Sequence, residues 1–136
     1  MGLRFLVLLL LAAMGATSCE DTTATTPTTT TAIVTEPPFS GTLSINGGTT
    51  FQFSSTARGS VTATVTSLTP DTAVIGVSIG TWNGLICQLV LVDDQATQGT
   101  MFSGTVSAVG NLCLRVYDST GKLTGPATFS VDVVHP

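Results

Sequence analysis

The chain has 136 residues and a formal net charge of −4, with 43% hydrophobic but only 9% charged residues. Average soluble proteins carry roughly 25% charged residues, so the polar surface here must come from Thr, Ser, Asn, Gln and Gly, as in exported β-rich modules. The cations Arg4, Arg58, Arg115 and Lys122 are too few and too scattered for a phosphate-binding stripe, which argues against nucleic acid as a partner.

The first residues have the three-part pattern of a secretory signal peptide. Arg4 supplies a positive charge, Phe5 to Ala13 an apolar run, and Gly15-Ala16-Thr17-Ser18 a set of small residues. The apolar run is shorter than the ~20 residues of a membrane span. Ala16-Thr17-Ser18-Cys19 resembles a bacterial lipobox, in which the cysteine is acylated and the chain is cut before it. The expectation is a signal peptide over residues 1–18 and a lipid anchor on Cys19. Cleavage by ordinary signal peptidase near Ala16 or Ser18, giving a secreted protein, is the alternative. Lipidation of Cys19 leaves an even number of cysteines for an oxidising compartment. Glu20 to Thr31 is Thr-rich and almost without apolar side chains, so it cannot offset the entropy of ordering. Residues 19–37 read as a lipid-anchored linker with a reach of roughly 25 Å. Pro37-Pro38 marks the start of a domain over residues 38–136.

From Phe39 the chain breaks into short alternating runs. Thr42-Leu43-Ser44-Ile45 and Thr50-Phe51-Gln52-Phe53-Ser54 flank the turn Asn46-Gly47-Gly48 and are expected to form a hairpin. Val61, Ala63, Val65 and, after an irregularity, Leu68 face inward from the next strand. Thr69-Pro70-Asp71 turns the chain into Val74 to Ile79, where Gly76 suggests a bulge or a close backbone approach. The continuous apolar run from Ile86 to Val92 predicts a strand buried on both faces. Gly99 to Val106 is a weaker strand interrupted by Gly104. Leu112 to Tyr117 and Thr128 to Val134 complete about eight strands, with no segment of helical period. The pattern predicts an all-β antiparallel β-sandwich.

Residues 39–136 resemble the bacterial pre-peptidase C-terminal (PPC)-like domain. The resemblance rests on Phe39-Ser40-Gly41-Thr42-Leu43, Phe51-Gln52-Phe53, Gly59 to Val65, Leu68-Thr69-Pro70-Asp71, Gly80-Thr81-Trp82-Asn83-Gly84, Cys113 to Asp118, Gly125-Pro126 and Val131 to Pro136. It implies a secreted, jelly-roll-like sandwich of the cell envelope. Members often accompany a peptidase, and some bind calcium or extracellular polymers.

Among candidate site residues, Cys87 and Cys113 are expected to form a disulfide. Alternation along the second strand sends Cys113 outward with Arg115 and Tyr117, so the bridge should join neighbouring strands on an outer face or lie at a strand end. Asp93, Asp94 and Asp118 are candidate calcium ligands from loops; solvated loop carboxylates are the alternative, and no other cofactor is expected. Trp82 and Asn83 are candidate ligand contacts, Trp82 as a sugar-stacking or protein-anchoring side chain; capping of the core is its alternative role, as for Tyr117. Enzymatic chemistry is not expected. The one histidine is the penultimate residue, His135, the domain contains no glutamate, and Asp93 and Asp94 are adjacent. The expectation is an envelope-displayed module that recognises a glycan, peptide or protein through loops at one end of the sandwich. The alternative is a structural lipoprotein without a small ligand. The protein should reside in the bacterial envelope, held to the membrane by its lipid, or be secreted.

Overall fold

The computed structural model describes residues 30–136; the expected signal peptide, Cys19 and most of the expected linker lie outside the described residues. Nine strands follow one another: β1 (Val34–Thr35), β2 (Phe39–Leu43), β3 (Gly48–Ser55), β4 (Gly59–Thr69), β5 (Ile75–Trp82), β6 (Cys87–Ala96), β7 (Met101–Val106), β8 (Gly110–Tyr117) and β9 (Ala127–His135). No helix occurs among the described residues. In one sheet β1 and β2 share an edge of β9, and the order continues through β4 to β7. The second sheet has the order β3-β8-β5-β6. All pairings are antiparallel, and the two sheets form the predicted β-sandwich.

Period-two alternation builds the core. Val61, Ala63, Val65 and Leu68 of β4 and Phe129, Val131 and Val133 of β9 face Val77 and Ile79 of β5 and Leu112, Leu114 and Val116 of β8. Each fully buried aliphatic side chain stabilises the fold by roughly 1.5–3 kcal/mol. The expected irregularity before Leu68 is a register shift between Val65 and Ser67. The loop before β7 fills it: Val65 N–H donates to Thr100 O at 2.9 Å, Gly99 N–H donates to Val65 O at 2.8 Å, and Leu68 N–H donates to the Gln98 side chain at 3.1 Å.

Four expectations are corrected. The runs around Asn46-Gly47 do not pair as a hairpin: β2 pairs with β9 and β3 with β8, so the turn carries the chain from one sheet to the other. The turn chemistry is as expected, with Asn46 at φ 56°. Partner choice is set instead by Phe39, whose ring lies 5.1 Å from that of Phe51 and 6.0 Å from that of Phe53, closing this side of the sandwich. Second, the apolar run Ile86 to Val92 is not buried on both faces. β6 is a sheet edge, and only Leu91 and Ala96 from this strand join the core. Third, the sheet begins inside the predicted linker. Val34 and Thr35 pair with His135 and Val134, and Glu36 N–H donates to Val133 O at 2.9 Å. Glu36 Oε1 lies 2.9 Å from Nε2 of buried His135, whose ring packs 5.1 Å from that of Phe53. β7 also runs through Gly104 without interruption.

Candidate functional site

The Cys87–Cys113 disulfide forms, but not between neighbouring strands. β5 lies between β6 and β8, so strands at ordinary spacing would be roughly 9–10 Å apart. The two Cα atoms are 5.8 Å apart. The start of β6 must therefore leave the sheet plane and cross the outer face of β5. It crosses at Gly80, which pairs with Cys113 on one side and Leu89 on the other. A Cβ on Gly80 would lie 2.1 Å from Gln88 O and 3.0 Å from Leu89 Cα, so glycine is required by the passing backbone. This cover explains why Cys113 is wholly buried although alternation points it outward.

The crossing displays the β5–β6 hairpin. Asn83 is spent on the turn: its Oδ1 accepts from Leu85 N–H and Ile86 N–H, both at 2.9 Å. Trp82 is half-buried at the hairpin base, in register with Cys87. Beyond them Leu85 is 85% exposed, Ile86 59% and Val90 76%, with Leu89 and Val92 also exposed. Val90 is the extra residue of a bulge between the Ile79–Leu91 and Gly80–Leu89 pairs. Next to it, the seam between β6 and β7 opens into a groove of about 250 Å³ lined by Val90, Leu91, Gly104, Val106 and Val109, with Ile79 among the core residues it reaches. No charged residue occurs from Thr81 to Val92 or from Gly99 to Leu114. The hairpin, the outer side of β6 and the groove thus form one uncharged, largely apolar side of the molecule. The exposure of Leu85 and Ile86 was not foreseen, because apolarity in a sequence does not distinguish an edge from a core strand.

The predicted aspartates lie at the opposite end of the second sheet from Trp82 and Asn83, and each carboxylate is engaged within the chain. Asp118 Oδ2 accepts from Asn46 N–H at 3.0 Å and its Oδ1 from Lys122 N–H at 3.2 Å. Asp93 Oδ1 accepts from Gln95 N–H at 2.9 Å. Asp94 Oδ1 accepts from the Tyr117 hydroxyl, and Asp94 O accepts from Ser119 Oγ at 2.7 Å. No group of three or more His, Cys, Asp or Glu among the described residues is placed to hold a metal.

Tyr117 closes this end. Its ring occupies the space a side chain at Gly76 would need, and Arg115 lies over it at 5.4 Å from the ring centroid. Partial burial, and then the hydrogen bond to the Asp94 carboxylate, push the phenol up to about 12. Nearby, Pro70, Thr72, Gln95, Thr120 and Lys122 line a cavity of about 520 Å³ between loops. Neither Trp82 nor Asn83 contributes to it.

Two elements of His135 complete the inventory of reactive groups. Both ring nitrogens are committed, Nδ1 at 2.9 Å to Pro136 O and Nε2 at 2.9 Å to Glu36 Oε1. The chain matches no protein-family model, and no curated protein matches it in sequence. The fold and the geometry of its two ends therefore carry the functional argument.

Proposed function

We propose that this chain is an exported interaction module, held to a bacterial envelope membrane through a lipid on Cys19, that binds a protein or peptide through the uncharged side formed by the β5–β6 hairpin and the β6–β7 groove. One observation carries this assignment. Leu85 and Ile86 stand 85% and 59% exposed at the tip of a hairpin whose base a disulfide ties across β5 to β8. An apolar tip of this kind costs solubility unless a partner covers it, and apolar patches of this extent on small proteins mark interaction surfaces. A disulfide-braced hairpin loses little entropy when it binds. The surface suits protein better than sugar: its exposed groups are aliphatic, and the Asn83 side-chain oxygen is occupied in the turn. The resemblance to PPC-like modules, which act beside other exported proteins, supports the same assignment.

Site-specific photo-crosslinking in the producing cell tests it. A crosslinker at Leu85 should capture a protein, whereas one at Ile45, which is 47% exposed near the far end, should not. Equal silence at both positions would leave the structural lipoprotein as the better account. The anchor is tested separately: Cys19→Ser should move the protein from the detergent phase to the aqueous phase, and an unmutated protein already in the aqueous phase would remove the lipid from the proposal.

A further inference from the structure

We infer that the partner seated on the β6 side is a second copy of this chain, in an isologous dimer whose two-fold axis passes near Gln88; this rests on the assignment of that side as an interaction surface. The knob and the hole lie on one strand. Ile86 projects at the hairpin tip, and Val90 borders the groove four residues along, at most roughly 13 Å away. A two-fold axis at Gln88 sets Ile86 of one copy opposite Val90 of the other, and Leu85 opposite Leu91. One rotation therefore places both tips over both grooves, as a closed two-fold contact requires. The Val90 bulge in the β5–β6 ladder distorts β6 where the copies meet, and bulged edges resist strand addition, so the copies meet by side chains and do not extend the sheet.

Charge selects the same arrangement. The chain carries a net charge of −4, so two copies repel unless the contact is uncharged and the carboxylates stay apart. The Thr81 to Val92 stretch carries no charge, and the nearest acids are Asp93 and Asp94 at the far end of β6. About the Gln88 axis each acidic pair lies alongside Trp82 and Asn83 of the other copy. The two pairs are then about 30 Å apart, beyond the ~8–10 Å screening length at physiological salt. A parallel arrangement would bring them face to face.

The area matches a weak but specific dimer. Leu85, Ile86, Leu89, Val90, Val92 and Val109 together expose nearly four side-chain equivalents. At about 100 Å² for each fully exposed aliphatic side chain, that is on the order of 350–400 Å² of apolar surface per copy. With the usual polar share, two copies bury roughly 1,100–1,200 Å², the lower edge of specific interfaces. β1, the first strand, lies at the edge of the other sheet, across that sheet from β7 and this groove.

Sedimentation velocity of the purified chain carrying Cys19→Ser, which removes lipid-driven clustering, tests the inference. The expected result is a monomer–dimer equilibrium with a Kd in the micromolar range. Val90→Lys, at a position 76% exposed in the monomer, should raise the Kd at least about tenfold, whereas Ile45→Lys should leave it unchanged. A mixture of Ile86→Lys and Val90→Asp chains should form a heterodimer in preference to either homodimer, because the two substitutions face each other across the axis. A monomer at every concentration up to about 200 µM would overturn the dimer, as would a dimer indifferent to Val90→Lys. A monomer whose Leu85 crosslinks to another protein leaves the interaction module standing without self-pairing; a monomer that crosslinks to nothing removes both.

Discussion

Gly80→Ala tests the crossing of β6 over β5. The added methyl would lie 2.1 Å from Gln88 O, 2.7 Å from Gln88 C and 3.0 Å from Leu89 Cα. All three atoms are backbone, so no rotamer change relieves the clash, and the Cys87–Cys113 bridge prevents β6 from lifting away. Overpacking of this kind costs about 1–3 kcal/mol. Displacing the strand also weakens one or two ladder hydrogen bonds at about 1 kcal/mol each. The expected loss is about 3 kcal/mol, or a Tm lower by about 12–20 °C for a domain of this size. Urea unfolding of the oxidised protein measures it. In a Cys87→Ala/Cys113→Ala background β6 can move, and the same methyl should cost less than half as much. Gly84→Ala is the control: nothing lies within 4 Å of its Cβ position, and only its φ of +97° resists substitution, at about 1 kcal/mol. A Gly80→Ala cost below about 0.5 kcal/mol, or the same cost with and without the bridge, would refute the crossing as the reason for glycine.

Three further outcomes are expected. Cys113→Ser should lose about 3.5 kcal/mol of denaturant stability, the loop-closure contribution for a sequence separation of 26; a loss under 1 kcal/mol would show that the unfolded chain is not constrained by the bridge. Tyr117 is the only tyrosine, so near-ultraviolet absorbance should report a phenol titrating at about 12. Because the folded value is raised, its contribution to stability is complete below the unfolded value near 10 and is lost as pH rises from about 10 to about 12; Asp94→Asn should bring the titration down, and an unmoved titration would contradict the hydrogen bond. Glu36→Ala should leave buried His135 Nε2 without its partner, cost about 1–3 kcal/mol and speed amide exchange at residue 36, whereas unchanged exchange would show that the contact does not hold β1.

The sandwich was readable because β4 and β9 alternate cleanly: Val61, Ala63 and Val65 could face only one way, and the same held for Phe129, Val131 and Val133. The disulfide was readable from the expected export and from cysteine parity, but its path was not. The passage over β5 depends on Gly80 lying beneath Gln88, a tertiary coincidence with no local signature. Pairing failed where turn chemistry was asked to choose partners. Asn46-Gly47 specifies a reversal, and whether the flanking strands join one sheet or two is decided by where Phe39, Phe51 and Phe53 meet. The Ile86 to Val92 run was misplaced because a hydrophobic edge and a central strand have the same composition. That ambiguity also concealed the candidate site. The hairpin stands out only once Leu85 and Val90 are seen to face solvent.

The short strand β1 also gives the molecule a mechanical property. Load arriving through the segment before residue 30, with a partner held at the β6 side, enters the fold at two residue pairs, Val34–His135 and Thr35–Val134. The five pairs of β2 on the same edge of β9 lie behind them. Under tension β1 peels first, one pair at a time, and frees residues 34–38, about 15 Å of extended chain. The core strands remain closed while this happens, and the segment zips back when the load falls. β1 thus acts as a weak extensible link in series with a stiff body: in a chain anchored and partnered as proposed, it would lengthen before force reached the β6 side.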